Sequence, residues 1–300
     1  MKTRKLGKTG PDISEIGLGC MSLPDDARQA ERIVHAAYDA GISYFDTADL
    51  YGRGRNEELL GKALGNRRSD IILATKVGNR WTDGRDGWEW DPSPEHIRKS
   101  VQDSLKRLGT DYIDVYQLHG GTAEDDLDAV IWVFEDLKRE GLIRHYGLSS
   151  IRPNVFLPFL KNSSAVSNMM QFSLLDRRPE EWFGDISDSG ASVVARGPIA
   201  KGLLTAEAEK RAEASDGYLS YSSGELRELI TEFSKLPGSL HSAALAFVLD
   251  NRTVAAAITG ASSEEQLNET LSAYDNMPDL ETVSAYASLA AKEHYEKHRD

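Results

Sequence analysis

The 300-residue chain has a single cysteine, Cys20, so no disulfide can close within it, and that usage suits a reducing compartment. Nowhere do about 18 apolar residues run together, and the basic stretch at residues 1–10 is followed by no apolar run of the kind a secretory leader carries. These absences lead us to expect a cytoplasmic protein that is not embedded in a membrane. Positive charge is scarce too: 35 Lys and Arg stand against 48 Asp and Glu, a net of -13, and no basic stripe is visible. Nucleic acid is thereby excluded as a general partner, while a local group of cations could still hold a phosphorylated cofactor. The seven histidines include no H-x-H pair, which speaks against a clustered metal site. No G-x-G-x-x-G joins a strand to a helix; Ile16-Gly-Leu-Gly-Cys-Met-Ser22 comes nearest and reads as packing of a first strand.

What the chain does have is alternation. After a short hairpin expected over residues 2–15, apolar runs of strand length fall at 16–20, 43–47, 71–77, 112–119, 143–149, 166–172, 191–195 and 254–259. Between them lie amphipathic stretches of helical period. Ala30, Ile33, Val34, Ala37 and Tyr38 share one face of 27–40; Asn56 reads as the cap of 56–64; Ser93 and Pro94 open the helix that ends near Leu108. Further helices are expected over 125–139, 153–160, 180–189, 240–249 and 264–274, with a terminal one over 280–298. Two segments stand outside the pattern: a polar loop at 78–91 holding Trp81, Trp88 and Trp90, and a charged, Ser-rich insertion at 202–238, read as a long loop with a task of its own. Strict βα alternation implies a parallel sheet with right-handed crossovers, and eight units in so short a chain fit a closed (β/α)8 TIM barrel over residues 1–300, as a single domain with an N-terminal hairpin and an extra C-terminal helix.

Chemistry gathers where three successive strands end. The run Ser43-Tyr-Phe-Asp-Thr-Ala-Asp-Leu-Tyr-Gly52 carries Asp46 at the carboxyl end of its strand and Tyr51 in the loop beyond. The next strand ends in Lys76, the one after in His119. A lysine inside an apolar run costs several kcal/mol of desolvation unless a counter-charge accompanies it, and Asp46 is the evident partner. Each residue has a bland reading of its own: Asp as a cap, Lys as a snorkelling edge residue, His as a satisfied core residue. Their coincidence at the catalytic mouth of a barrel is harder to account for that way.

At these residues the chain resembles the aldo-keto reductase superfamily, in particular its bacterial oxidoreductase branch. Phe45-Asp-Thr-Ala-Asp-Leu-Tyr-Gly52, Leu108-Gly-Thr-Asp-Tyr-Ile-Asp114, Tyr146-Gly-Leu-Ser149 and Gly202-Leu-Leu-Thr205 carry the likeness in order and spacing. The resemblance implies an NAD(P)H-dependent reductase of aldehydes and ketones with a tetrad of Asp46, Tyr51, Lys76 and His119. Chemistry gives the members roles. A free phenol, with a pKa of about 10, is a sluggish acid at neutral pH. A lysine ammonium beside it stabilises the phenolate, Asp46 keeps that ammonium charged and aimed, and His119 orients the carbonyl.

By the same resemblance Ser149 and Gln171 hold the nicotinamide carboxamide. Arg196 stands where the family often stacks an aromatic on the ring, and a guanidinium can stack on a flat ring as well. Gly197, Pro198, Ile199, Lys201, Gly202 and Leu204 line the pyrophosphate, and Gly260, Ser262, Gln266 and Glu269 surround the adenosine. NADP(H) is the expected cofactor, with NAD as the alternative, because Ser262 or Gln266 takes the place of the family cation that reads the 2′-phosphate; Lys201, Lys210 or Arg211 would supply the missing charge. Met21, Trp81, Trp88 and Trp90 suggest a partly aromatic substrate pocket, and the want of an evident anion clamp suggests neutral carbonyls. Two other classes compete: a noncatalytic cofactor-binding barrel serving as a regulatory subunit, and a barrel aldolase using Lys76 as a Schiff base.

Overall fold

The computed structural model describes residues 1–82 and 87–299. Eight parallel strands close on one another: β1 (Ile16–Gly19), β2 (Tyr44–Asp46), β3 (Ile72–Val77), β4 (Ile113–Leu118), β5 (Ile143–Leu148), β6 (Ser167–Gln171), β7 (Ser192–Arg196) and β8 (Val254–Gly260). Each pairs with its neighbour in sequence, and β8 returns to β1 through Ala257 opposite Ile16. The barrel was legible because most strands are buried on both faces and read as largely apolar runs, although β5 carries the exposed Arg144 and β6 opens on Ser167 and Asn168.

The helices that wrap it are α1 (Ala27–Asp39), α2 (Arg55–Leu64), α3 (Pro94–Leu108), α4 (Leu127–Arg139), α5 (Pro153–Lys161), α6 (Phe183–Asp188), α9 (Leu240–Asp250) and α10 (Glu264–Asp275), with α7 (Ala208–Glu213) and α8 (Ser223–Phe233) between the seventh strand and α9, and α11 (Leu280–Leu289) at the end. Local chemistry sets their starts. Asp26 accepts from the Gln29 amide at 2.8 Å, and Ser93 caps α3 ahead of a proline that has no N–H to leave orphaned. The amino-terminal hairpin, Thr3–Lys5 paired antiparallel with Asp12–Ser14, sits under the barrel, and its fully buried Leu6 and Ile13 join the inner core of Tyr44, Val115, Met169 and Val194. That closes the bottom and leaves the opposite, carboxyl-terminal mouth for chemistry.

Four segments differ from expectation. Asn56 does not cap α2: it is buried inside the helix, accepting from Thr47 Oγ1 and donating to the Cys20 carbonyl at 2.7 Å each, while left-handed Gly54 turns the chain into the helix. The loop at 78–91 contains a small antiparallel hairpin, Asn79–Trp81 with Trp88–Trp90. The insertion at 202–238 is not a loop; α7, α8 and the hairpin Gly217–Tyr218/Tyr221–Ser222 build a second core with Leu226, Leu229, Ile230 and Phe233 against Ala243, Ala244 and Tyr286. The terminal helix stops at Leu289, and residues 290–299 run on without regular structure. Among the described residues no helix is long and apolar enough to cross a membrane.

Candidate active site

Lys76, fully buried near the end of β3, donates from Nζ to Asp46 Oδ2 at 2.5 Å and to the Thr47 carbonyl at 2.7 Å. The expected counter-charge is therefore the one it meets. Gln117 of β4 donates to the other carboxylate oxygen, Asp46 Oδ1, at 3.1 Å, so both oxygens of the buried acid have partners. Burial disfavours the ammonium, but the attraction of Asp46, with a contribution from Tyr51, outweighs it and holds the Lys76 pKa above its ordinary value. Burial likewise pushes the Asp46 carboxyl up, against the pull of Lys76 and Gln117.

Tyr51 follows β2 in a one-turn helix and puts its ring 5.2 Å from Lys76 Nζ. His119, just past β4, meets that ring edge-on, with centroids 6.0 Å apart. The imidazole pKa is pushed down to about 3, first by burial and then by the cations of Lys76 and Arg196, so this histidine is neutral at any physiological pH. Its Nδ1 is buried with no partner among the described residues, which leaves Nε2 for the cavity. A cavity of about 230 Å3 opens from His119 and is walled by Ser149, Arg196, Trp88 and Trp90, and Tyr51 adjoins it through its edge-on contact with His119.

The other sequence-derived positions divide. Gln171 accepts from Arg196 Nη1 at 2.9 Å and donates to the Tyr218 hydroxyl at 3.1 Å, so the end of β6 is tied to the end of β7 and to the insertion. Beyond Arg196 the chain from Gly197 through Pro198 and Ile199 to Leu204 turns sharply, with Ala200 and Lys201 both at positive φ, 46° and 57°. Two non-glycine residues in that region are a strained loop. Ser262 donates from its amide and hydroxyl to Gln266 Oε1 at 2.9 and 3.0 Å; Gln266 and Glu269 are exposed on α10, and Gly260 ends β8. Met21 is 66% exposed and lies outside the cavity wall, as does Trp81, whose ring sits under the Arg53 guanidinium at 4.7 Å. Arg211 and Lys210 are spent on Glu207, whereas Lys201 has no ion pair among the described residues.

A model of the aldo/keto reductase family matches residues 15–290. The chain belongs to that family. It is 52% identical to the Uncharacterized oxidoreductase YqkF of Bacillus subtilis (strain 168) across the whole of both chains. Among solved structures it resembles the holo form of the aldo-keto reductase AKR11C1 from Bacillus halodurans, with a TM-score of 0.94 and 50% identity over all of both chains. It also resembles the glycerol dehydrogenase AKR11B4 from Gluconobacter oxydans, with a TM-score of 0.84 and 25% identity over 98% of each. Aldo-keto reductases are oxidoreductases that use nicotinamide cofactors, and this one fits such a group: Arg196 and Lys201 stand at the mouth without acidic partners among the described residues, beside a strained backbone loop.

Around the expected Trp90 the aldo-keto reductase site also contains residues that sequence reasoning missed. Trp90 lies against the backbone of Gly78 and Gly120, and a Cβ at Gly78, where φ is +124°, would come within 2.5 Å of the indole. Asp125 pins that ring by accepting from Nε1 at 2.9 Å, and itself takes the Thr122 amide at 2.6 Å. Glu57 accepts from Thr75 at 2.6 Å and from Arg107 at 2.7 Å, with Asp49 alongside; these two acids and one cation come from separate elements, so no short motif could announce them. Asn168 on β6 exchanges two hydrogen bonds with the Ser150 backbone, at 3.1 and 3.0 Å, bracing the loop that carries Ser149.

Proposed function

We propose that this aldo-keto reductase reduces aldehydes and ketones to alcohols, with Tyr51 as the proton donor, Lys76 and Asp46 as its electrostatic support and His119 as the group that orients the carbonyl. The observation that carries this reading is the buried Lys76 to Asp46 contact at 2.5 Å with the Tyr51 ring 5.2 Å from the same ammonium. When bound, the reduced nicotinamide supplies a hydride to the carbonyl carbon. As charge develops on the carbonyl oxygen, Tyr51 gives up its phenolic proton to it, and the adjacent ammonium stabilises the phenolate left behind until solvent restores the proton. Neutral His119 cannot deliver a net proton at physiological pH; it offers one N–H from Nε2, which aims the carbonyl.

Ser149 and Gln171 would hold the carboxamide, Arg196 would lie over the ring, and the loop from Gly197 to Leu204 would follow the pyrophosphate. We favour NADP(H) over NAD, because Lys201 is the cation left uncommitted near that loop, and the single cysteine supports a cytoplasmic location. A regulatory role without turnover would not need four catalytic groups brought together. The test is loss of absorbance at 340 nm when NADPH is mixed with an activated aldehyde. Tyr51→Phe should lower turnover by about 10²- to 10⁴-fold with NADPH still bound; undiminished turnover would discard the assignment. A tighter dissociation constant for NADH than for NADPH would overturn the cofactor preference.

A further inference from the structure

We propose that Arg152 is an anion-recognition residue of the substrate cavity, so that the preferred carbonyl substrates carry a carboxylate. This rests on the reductase reading and reverses the expectation of neutral substrates drawn from the sequence. Charge bookkeeping is the first support. The chain carries a net -13, yet the wall of the cavity that opens from His119 contains two guanidiniums, Arg152 and Arg196, and no Asp or Glu among the described residues. Asp125, three residues beyond the lining Thr122, is taken up by hydrogen bonds from Trp90 and Thr122. His119 is neutral and Lys76 is matched by Asp46, so neither alters the balance.

The second support is the state of the guanidinium itself. Arg152 lies between β5 and α5 and is half-buried; Nη1 donates to the Gly121 carbonyl at 2.8 Å, which fixes the group, and no carboxylate pairs with it among the described residues. Five N–H donors in a fixed fork suit a carboxylate bidentately, and one such bond to a backbone carbonyl leaves the fork largely free. Removing a guanidinium from water without an acid partner is costly unless an anionic ligand completes it. Apart from Arg152 and Arg196 the described lining is apolar or neutral, so neither cation meets an acid there. A second cavity of about 760 Å3 shares Ile151 and Arg152 with the first, but there Glu293 and Glu296 stand among the cations Arg152, Arg178 and Lys297, whereas the described lining of the inner cavity has cations and no acid.

The experiment compares two substrates of near-equal size, 4-oxobutanoate and its methyl ester, through kcat/KM with NADPH on the wild type, Arg152→Met and Arg152→Lys. The wild type should prefer the acid by about ten- to a hundredfold, the worth of a charged hydrogen bond; the ratio should fall to near one in Arg152→Met and recover partly in Arg152→Lys. The preference should also shrink with added salt. A ratio near one in the wild type, or one that Arg152→Met leaves unchanged, overturns the proposal while turnover of the ester upholds the reductase. Should Arg152→Met instead raise the NADPH dissociation constant and spare the substrate ratio, the guanidinium serves the cofactor and the proposal fails. If neither compound is turned over, the reductase reading is what has failed, and succinate binding followed by tryptophan fluorescence still decides: loss of binding in Arg152→Met supports the subsite, equal binding removes it.

Discussion

Asp49→Asn should stabilise this protein, and by more as the pH rises. The Asp49 carboxyl has one oxygen sealed from solvent without a hydrogen-bond partner among the described residues, and it shares its surroundings with Glu57 of α2, Arg107 of α3, Lys76 of β3 and the fully buried Tyr116 of β4. Burial, followed by the repulsion of Glu57, pushes its pKa up to about 8, the pull of Arg107 and Lys76 notwithstanding. The folded chain therefore keeps a proton that the unfolded chain releases near pH 3.8. With more protons bound in the fold, stability falls as pH rises between those two values, at ~1.36 kcal/mol per pH unit. Asparagine has the size of the protonated acid and nothing to ionise. Urea unfolding of both proteins should thus show a gap of about 1 kcal/mol at pH 4.5 that widens toward about 5 kcal/mol at pH 8, the variant being the more stable, and then holds level. A gap that stays constant with pH would show that Asp49 ionises alike in both states and would refute the reasoning.

Removing one half of the buried Lys76–Asp46 ion pair should behave differently: Lys76→Met strands the buried Asp46 carboxylate and should cost about 3–5 kcal/mol in urea unfolding, with Asp46→Asn added on top costing less than the two single changes together. His119 titrates at about 3 in the fold against an ordinary 6.5, so the unfolded state takes up a proton first and stability is lost as pH falls between those values. His119→Gln should flatten that acid limb in thermal melts, and no limb near neutral pH in the rate profile should trace to this residue. Gly78→Ala forces a Cβ to within 2.5 Å of the Trp90 ring at a φ of +124°, and should cost about 1–3 kcal/mol while shifting tryptophan fluorescence.

The parts of the fold and site that could be read in advance share a physical cause: each is a conflict within one short segment. A lysine in the run Ile72–Val77 has to find an acid, and an acid sits at the matching end of the neighbouring strand, so Asp46 and Lys76 imply one another. Most barrel strands declare themselves because burial on both faces leaves little polar alternation. Where the resolving partner lies far off in sequence, the same reasoning fails. Asn56 looks like a cap because Asn commonly is one, yet its side chain bridges Thr47 and the Cys20 carbonyl, contacts that only the closed barrel creates. The hairpin around Trp88 and Trp90 has three residues per strand, too few for a period, and its anchor is the bare backbone of Gly78 and Gly120. The insertion was a different kind of miss, since Ser222 with Glu225 forms a capping box ahead of Leu226, Leu229, Ile230 and Phe233 at helical spacing, a signal present in the letters themselves.

That contrast bears on how the mouth divides its work. Asp46, Lys76 and Tyr51 belong to the segment-level pattern and, in the function we propose, concern the proton, a requirement common to every carbonyl such an enzyme would reduce. Arg152, Trp90 and Asp125 depend on contacts between loops: Arg152 on the Gly121 carbonyl, Trp90 on Asp125, Asp125 on Thr122. Those loops follow different strands of the barrel and lie outside its strand pairing. Changes there can alter which carbonyl is held without touching the acid that protonates it, so the residues least visible in the sequence are the ones on which substrate choice should turn.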